Sequence, residues 1–368
     1  MGSNKLKEIL FFFDSRATFA YSNNVIKQFK KNKAKFKILV SGNYLEKKMK
    51  INQDIFRKNN LKIHSRVKFA SPNNSDSSWP ISFGKAMIKY SRELKKIKPD
   101  LIVLTGDRIE TLCMCITSAY MNIPIAHIQA GDKSGHIDDV SRAALAKFSN
   151  FHFAPSINAC KRLENWGEDK KRIFFTGAPQ LDDIKKKKYP KSNYFILIYH
   201  PILNEKKLIK KQISNIIKAI TSSKINVKWI YPNNDMGFND IIKKINKIND
   251  KKIEIIPNLE RESFLKLLSN SRGMIGNSSA GIIEASLFKI PVINIGKRQD
   301  GRPQSGNIVN CKPEVKDILK KINHISNNKK FLRSINRVKN PFYVTRSSEI
   351  IFKFIKSLRK DNKLLSKY

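Results

Sequence analysis

Residues 127–142, HIQAGDKSGHIDDVSR, place two histidines, three aspartates, a glutamine and an arginine within sixteen positions. Glycine and serine spacers indicate a loop, and a short apolar run precedes it. Carboxylates held near one another acquire different pKa values, so that one can serve as an acid and another as a base. Such a pair suits proton removal from carbon or cleavage of a glycosidic-type bond.

Two other interpretations of this segment stay open at the level of the residues. A metal site would need His and Asp ligands at matched spacing, and His127 and His136 are the histidines on offer. A purely structural interpretation takes Asp138 and Asp139 as the start of a helix, where they favour the helix dipole. Arg142 then pairs with them one turn later.

A second polar set lies in GNSSAGIIEA (276–285), which follows an apolar run and opens a helix-like segment. Its small residues let the backbone approach a ligand, and amides of Ser278 and Ser279 at a helix start suit a phosphate. The segment is neither a Walker A nor a GxGxxG motif, and an ordinary serine helix cap is the structural alternative. Arg298 in the next loop favours an anionic group. Glu284 is a carboxylate of the kind that accepts hydrogen bonds from a ribose diol.

The elements that must position these residues alternate between short apolar runs and longer amphipathic segments, which predicts βαβ units with parallel sheets. Helices are predicted at 82–98 and 110–122. The basic stretch KKKKYPKSN (185–193) is the best boundary. It divides the chain into predicted domains 1–188 and 189–355, followed by a basic tail, 356–368, that we expect to fray. The predicted strands are 8–13, 36–40, 66–70, 100–106, 123–129, 151–154, 172–177, 194–200, 226–232, 252–257, 273–277 and 291–296.

Two parallel-sheet domains with a cleft between them place a ligand at the carboxyl ends of the strands. Polar groups follow the predicted strands of both halves, and His200 among them suits phosphate donation or proton relay. We interpret His64, His152 and His324 as structural or surface residues. The residues after the strands are Arg16, Asp107, Arg108, Glu110, Gln129, Asp132, His200, Asn233, Asp235, Asn277, Ser278, Ser279, Glu284, Arg298 and Arg302.

The charge of the chain is its most prominent compositional feature. It has 72 Lys and Arg against 30 Asp and Glu, a formal net charge of +42. The lysines are dispersed among many Ile and Asn residues, which is typical of codon bias in an AT-rich genome. A preference for anionic partners, nucleotide phosphates or nucleic acid, is the alternative. No long apolar stretch, signal peptide or CxxC pair is present, so we expect a cytoplasmic protein with neither a membrane span nor a disulfide framework.

Several long blocks resemble the UDP-N-acetylglucosamine 2-epimerase family, and its hydrolysing branch most of all. The resemblance runs from about residue 7 to about residue 355. The hydrolysing branch makes N-acetylmannosamine or a related 2,4-diacetamido sugar for sialic-acid-like nonulosonate pathways. The blocks are TGDRIETLCMCITSAYMNIPIAHIQAGDKSGHIDDVSRAALAKFSNFHFAPS, FFTGAPQLDDI, YHP, PNND and GNSSAGIIEASLFKIPVINIGKRQDGR.

The resemblance implies a fold, a site and a chemistry. The fold is α/β of the GT-B type, with two Rossmann-like domains and the nucleotide held mainly by the second. A base takes the C2 proton of the sugar while the nucleoside diphosphate leaves C1, which gives a 2-acetamidoglucal to which water then adds. Asp107, Asp132 and Asp138 are the implied acids, with Arg142 orienting them and His200 near the phosphates. The implied binding residues are Arg16, Arg108, Gln129, Asn233, Ser278, Ser279, Glu284 and Arg298.

Four positions depart from the family pattern. Gln129 stands where Glu is frequent, Asp132 shortens the usual Glu, Ala143 follows the arginine where many relatives have His, and Thr18 replaces an acidic residue in the first loop. These departures imply an altered substrate preference or reduced activity. The resemblance implies no redox cofactor and no metal.

The expected partner is a UDP-sugar, with neither nucleic acid nor membrane, and the expected assembly is a homodimer or homotetramer. Three alternatives remain. A non-hydrolysing 2-epimerase and a GT-B glycosyltransferase would share the nucleotide site. A basic nucleic-acid-binding protein would need clustered basic and aromatic residues, which the dispersed lysines do not provide.

Overall fold

The computed structural model describes residues 5–45, 55–69, 78–133, 138–184, 192–233, 237–257, 259–361 and 363–367. These residues divide into two domains. The first takes the chain up to Asp132, then Asp138–Asp183, and then the chain from Phe342 onward. The second takes Lys133 and Ile184–Pro341. Each domain is built on its own parallel sheet.

The first domain has a seven-stranded sheet in the order β3-β2-β1-β4-β5-β6-β7, with all neighbours parallel. Because both faces of such a sheet are covered by helices, its central strands are mostly apolar. The strands are β1 Ile9–Phe13, β2 Lys37–Ser41, β3 Ser65–Val67, β4 Leu101–Thr105, β5 Ile125–Ile128, β6 Phe151–Ala154 and β7 Ile173–Phe175. The helices that follow them are α1 Arg16–Lys31, α2 Ser78–Ile97, α3 Ile109–Tyr120, α4 Asp138–Phe148 and α5 Ile157–Asn165.

Alternation along β1 shows how the first sheet forms two cores. Phe11 and Phe13 pack on one face with Phe29 of α1. Leu10 and Phe12 pack on the other face with residues of α2 and α3. Successive strand residues point to opposite faces, so a run of apolar residues without polar breaks feeds both layers.

The second domain has a six-stranded parallel sheet in the order β10-β9-β8-β11-β12-β13. Its strands are β8 Phe195–Ile198, β9 Val227–Ile230, β10 Ile253–Ile256, β11 Gly273–Gly276, β12 Val292–Ile295 and β13 Ile308–Cys311. Its helices are α6 Ile209–Ser223, α7 Phe238–Ile245, α8 Arg261–Asn270, α9 Ser279–Ile283, α10 Val315–Asn327 and α11 Lys329–Ile335. Short 3₁₀ turns in the two domains are Gly42–Leu45, Lys170–Arg172, Pro179–Leu181, Leu203–Leu208, Ala285–Phe288 and Lys363–Leu365.

The last helix, α12 Ser347–Ser357, corrects the predicted boundary of the second domain. Residues 342–355 were expected there, but they lie with the first domain. The reason is the apolar stripe of α12, from which Ile351, Phe352 and Ile355 join the core that holds Phe11. Burying each such side chain stabilises the fold by roughly 1.5–3 kcal/mol.

The expected fraying of the basic tail, 356–368, is also wrong for its described residues. Lys360 Nζ lies 2.8 Å from Asp100 Oδ1, and Arg172 Nη2 donates to the carbonyl oxygen of Ser366 at 2.7 Å. Leu358 is buried in the first core. The tail therefore follows the first domain because its basic side chains find carboxylate and carbonyl partners there. None of the helices in the described part of the chain combines the length and the hydropathy that a membrane span requires.

Candidate active site

Arg142 connects three acidic residues of the first domain. It lies one turn into α4 and its side chain is only 3% exposed. Its Nη2 forms a close ion pair with Oδ2 of Asp107, which follows β4. Its Nη1 donates to Oδ1 of Asp139 at 2.7 Å and to the carbonyl oxygen of Asp132 at 3.0 Å. A guanidinium held in this way fixes the positions of the groups around it, because its donors form a rigid fork.

The predicted acids differ in how they are placed. Asp107 is partly exposed, whereas Asp132, which follows β5, is buried. Asp138 is the first residue of α4, and its side chain lies outside the described part of the structure, as does the whole of His136. The segment that looked like a loop in the sequence therefore continues into a helix from Asp138, as the structural interpretation predicted. The same helix start carries the arginine that holds Asp107.

Gln129 has an unusual backbone and a partner within its own domain. Its φ is 66°, in the left-handed region that residues other than glycine rarely adopt. Its side chain is buried, and Nε2 donates to Oε1 of Gln180 at 3.1 Å. A side-chain amide does not ionise near neutral pH and cannot serve as a general acid or base, so Gln129 contributes hydrogen bonding and shape only. Gln180 was not identified from the sequence because it lies on a 3₁₀ turn, far along the chain.

His127 lies in the core of the first domain. Its Nε2 is 2.7 Å from the carbonyl oxygen of Gly106, and a carbonyl only accepts, so Nε2 carries the proton. Nδ1 has no hydrogen-bond partner within the described residues. Burial, opposed by the hydrogen bond to Gly106, lowers the pKa of His127 to about 4. A metal interpretation gains no support from this position, and no group of three or more His, Cys, Asp or Glu in the described residues could hold a metal ion.

The imidazole of His127 should therefore stay neutral at all but acidic pH. Its folded pKa lies below the ordinary 6.5, so the stability it contributes is complete above pH 6.5 and is lost as the pH falls through about 4. Histidine NMR, with the signal assigned by its loss in His127→Gln, should show no titration of this ring between about pH 8 and about pH 5. Titration of that signal near its ordinary pKa would contradict the buried position.

A buried acidic pair lies at the carboxyl ends of β1 and β4. Glu110 is 2% exposed and its Oε2 accepts from Nε of Arg108 at 3.3 Å. Burial raises the pKa of Glu110, the Arg108 charge opposes that rise, and Asp14 adds to it. Asp14 accepts from the hydroxyls of Thr111 and Thr18, at 2.6 and 3.1 Å. Arg108, expected as a binding residue, is thus paired with Glu110 in the first turn of α3.

Thr18, one of the departures from the family pattern, has a local structural role. Its amide donates to Ser15 Oγ at 3.4 Å, and the amide of Ser15 donates to Thr18 Oγ1 at 3.2 Å. This reciprocal capping box begins α1, whose first residue is the partly exposed Arg16. The signal was present in the sequence as DSRAT, with a serine three residues before a second polar residue.

His200 follows β8 in the second domain and is held on two sides. Asn277 clamps its backbone, since Oδ1 accepts from the His200 amide at 2.6 Å and Nδ2 donates to the His200 carbonyl at 2.9 Å. The amide of Asn233 donates to the ring Nδ1 at 3.0 Å. Since Nδ1 accepts, the proton of the neutral ring is on Nε2, which is therefore a donor. Asp235, expected nearby, lies outside the described residues.

The loop after β11 begins α9 with an ordinary serine helix cap, which is the structural alternative given for this segment, and its binding of a phosphate stays a prediction. Ser278 caps α9, with its side chain accepting from the Ala280 amide at 3.4 Å, and Ser279 is the first helical residue. Arg298 Nη1 donates to the carbonyl oxygen of Asn277 at 3.2 Å, and Gln299 Nε2 donates to the same oxygen at 2.8 Å. The loops after β11 and β12 are thus bonded to each other, which brings Arg298 to the serine turn.

Glu284 has a partner that the sequence did not identify. Its carboxylate Oε1 lies 3.3 Å from Nη1 of Arg261, the first residue of α8, and Glu284 is buried. Only one carboxylate oxygen of Glu284 pairs with Arg261 in this contact. Binding of a ribose by Glu284 stays a prediction. Arg261 is preceded by NLE in a stretch with no recognisable motif, and for that reason spacing alone did not point to it.

Two parallel-sheet Rossmann-like domains with these loops define the GT-B fold class, as predicted. The crystal structure of UDP-GlcNAc 2-epimerase from Neisseria meningitidis bound to UDP-GlcNAc has this fold. It aligns with a TM-score of 0.79 over 95% of this chain and 99% of that chain, at 18% identity. The model of the UDP-N-acetylglucosamine 2-epimerase family matches residues 27–356. The chain belongs to that family.

Two curated relatives carry more specific names. UDP-N,N'-diacetylbacillosamine 2-epimerase (hydrolyzing) of Legionella pneumophila is 28% identical over 377 residues, covering 98% of this chain and 99% of that protein. GDP/UDP-N,N'-diacetylbacillosamine 2-epimerase (hydrolyzing) of Campylobacter jejuni is 31% identical over 277 residues, covering 70% of this chain and 71% of that protein. The family resemblance read from the sequence is therefore confirmed.

Proposed function

We propose that the protein is a hydrolysing nucleotide-sugar 2-epimerase that releases UDP and a free 2-epimerised sugar. The substrate would be UDP-N-acetylglucosamine or a UDP-2,4-diacetamido-2,4,6-trideoxyhexose. The products would be N-acetylmannosamine or a related precursor of nonulosonate sugars. The observation that carries the proposal is the linkage of Asp107 and the backbone of Asp132 through Arg142. The relatives of Legionella and Campylobacter support the hydrolysing branch, since both are named as hydrolysing enzymes.

In the proposed reaction the acids of the first domain move the protons of the sugar. One of Asp107, Asp132 and Asp138 removes the C2 proton while the C1–O bond to UDP breaks, leaving a double bond between C1 and C2. Water then adds at C1, and a proton returns to C2 from the opposite face. Arg142 fixes the side chain of Asp107 in place through their close ion pair.

The second domain supplies the proposed nucleotide contacts. Nε2–H of His200, the serine turn of Ser278 and Ser279, and Arg298 are donors suited to a diphosphate. Glu284 and Asn233 would contact the nucleoside, and Arg16, Arg108 and Gln129 would add contacts from the first domain. Stabilising the charge that develops on the departing diphosphate lowers the barrier to C1–O cleavage.

Isotope incorporation tests the proposal. The protein is incubated in deuterated water with each of the two UDP-sugars, and the products are followed by mass spectrometry and NMR. We expect UDP together with a free 2-epimerised sugar that carries deuterium at C2. UDP release without the label would rule out elimination, and an epimerised sugar still joined to UDP would indicate the non-hydrolysing reaction. Release only when an acceptor is supplied would indicate a glycosyltransferase.

A homodimer or homotetramer, a cytoplasmic location and the absence of a bound cofactor remain predictions of the same proposal. The net charge of +42 is consistent with an anionic substrate, and it is equally consistent with nucleic acid as the partner. Binding to nucleic acid that falls steeply with salt, in the absence of turnover of any UDP-sugar, would favour that alternative.

A further inference from the structure

Residues 365–367, which we name the terminal strap, pack within the first domain at the carboxyl-terminal end of α4, the end away from Arg142. Lys367 Nζ donates to the carbonyl oxygens of Ala146 at 2.7 Å and Ser149 at 2.8 Å. Arg172 Nη2 holds the carbonyl oxygen of Ser366, and Asn150 Nδ2 holds that of Leu365 at 2.8 Å. Each residue of the strap therefore has a polar contact with the first domain.

The contacts of Lys367 are those of a helix cap. The last carbonyl groups of a helix have no partner within it, and a cation there both binds them and interacts favourably with the helix dipole. The Lys367 side chain is only 14% exposed, so its charge needs a counterion. Glu168 provides it, with Oε2 at 2.6 Å, and Glu168 also contacts Lys147 of α4 at 3.1 Å.

Glu168 is well suited to hold the strap in place. It is buried, and its Oε2 also lies 3.1 Å from His152 Nε2. Burial raises the pKa of Glu168, but the hydrogen bonds from His152 and Lys367 outweigh it and bring the pKa down to about 2. The carboxylate is therefore charged throughout the neutral range, and the ion pair with Lys367 is maintained.

We infer that Lys367 is a positioning residue for the proposed reaction, acting through α4 on Arg142 and on the acids that Arg142 holds. The helix is eleven residues long, about 16 Å at 1.5 Å per residue, and behaves as one rigid segment. Its first turns carry Asp138, Asp139 and Arg142. At its other end Lys367 donates to the carbonyl oxygen of Ala146 in the last turn and to that of Ser149, the residue after the helix. Fixing the carboxyl-terminal end of α4 limits the tilt and fraying of the helix. It thereby fixes the position of the Arg142 guanidinium, and with it the position of the Asp107 carboxylate that Arg142 binds. This inference rests on the proposed function.

The test compares Lys367→Met with Lys367→Arg, which keeps the charge, and with Lys363→Met, which removes an exposed lysine four residues earlier. In Lys367→Met we expect the amides of residues 143–149 to exchange hydrogen about fivefold faster, the size of effect expected for a lost helix cap. We expect kcat for UDP release to fall about fivefold, with KM and UDP affinity within twofold, because the proposed nucleotide contacts are untouched. Lys367→Arg should restore most of both properties.

Two results would overturn the inference. Exchange in residues 143–149 that equals that of Lys363→Met would show that Lys367 does not hold α4. Faster exchange with unchanged kcat would show a contact that stabilises the fold but does not position the acids. If the unmodified protein turned over neither UDP-sugar, the proposed function would fail on its own, while the exchange comparison would still decide whether Lys367 holds the helix.

Discussion

Asp107→Asn should lower turnover of the UDP-sugar by about 10²- to 10⁴-fold, the range expected when a general acid or base is lost. Asn has nearly the same shape and keeps an oxygen that can accept from Arg142, so the fold around the ion pair should persist. It has no exchangeable carboxyl proton and no charge. UDP affinity, measured by calorimetry, should change little, since the proposed phosphate contacts come from other residues.

Asp139→Asn is the matched control for this prediction. Asp139 also binds Arg142, through Nη1 at 2.7 Å, but it is not among the predicted acids. If Asp107 acts by moving a proton, Asp139→Asn should lower kcat far less than Asp107→Asn. Equal losses of kcat in the two variants would mean that each aspartate acts by balancing the positive charge of Arg142, and not by moving a proton. Normal turnover in Asp107→Asn would remove Asp107 from the mechanism.

Gly276→Ala should destabilise the second domain by more than about 4 kcal/mol, because overlap of an added side chain with the backbone is one of the few causes of so large a loss. A Cβ at this position would overlap the carbonyl oxygen of Ile198 and lie 2.7 Å from its carbonyl carbon. The φ of Gly276 is 128°, which adds strain for any other residue. The next residue is Asn277, so the clamp on the His200 backbone should be lost as well. Soluble yield, thermal unfolding and UDP binding measure these effects.

Two other glycines separate the causes. Gly296 also has a positive φ, 75°, but a Cβ there meets nothing within 4 Å, so Gly296→Ala should cost about 1 kcal/mol from backbone strain. Gly84 lies inside α2 with open space around it, and Gly84→Ala should stabilise by roughly 0.5–1 kcal/mol. A Gly276→Ala protein as stable as Gly296→Ala would show that the strand can shift away from the added methyl group.

The strands were predictable because a parallel sheet needs unbroken apolar runs, and every run identified in the sequence is a strand. β13 was missed because its sequence, IVNC, is short and includes an asparagine, and it lies at the edge of the second sheet. An edge strand has one neighbour and weaker demands on its composition. The return of α12 to the first domain was missed because an amphipathic stripe predicts that a helix is half-buried, but it does not predict which sheet the helix packs against.

The candidate site was predictable to the extent that strand ends bring polar residues together. Asp107, Asp132, His200 and the serine turn all follow strands as expected. The partners of two other site residues were not predictable, because Gln180 reaches Gln129 and Arg261 reaches Glu284 from other parts of the chain. Spacing likewise did not indicate that Lys367 contacts the end of α4. Arg142 is intermediate, because its pairing with Asp139 follows from helical spacing, whereas its pairing with Asp107 depends on how α4 packs against α3 and β5.

The return of α12 has a consequence for the order in which the protein can fold as it is synthesised. Phe11 and Phe29 share a core with Ile351 and Phe352, so the first domain lacks part of its interior until the final stretch of the chain has left the ribosome. Apart from Lys133, the second domain is the single segment Ile184–Pro341, which is complete earlier. Synthesis from the amino terminus therefore delivers the second domain as a finished unit first, and the domain that begins the chain is the last to close.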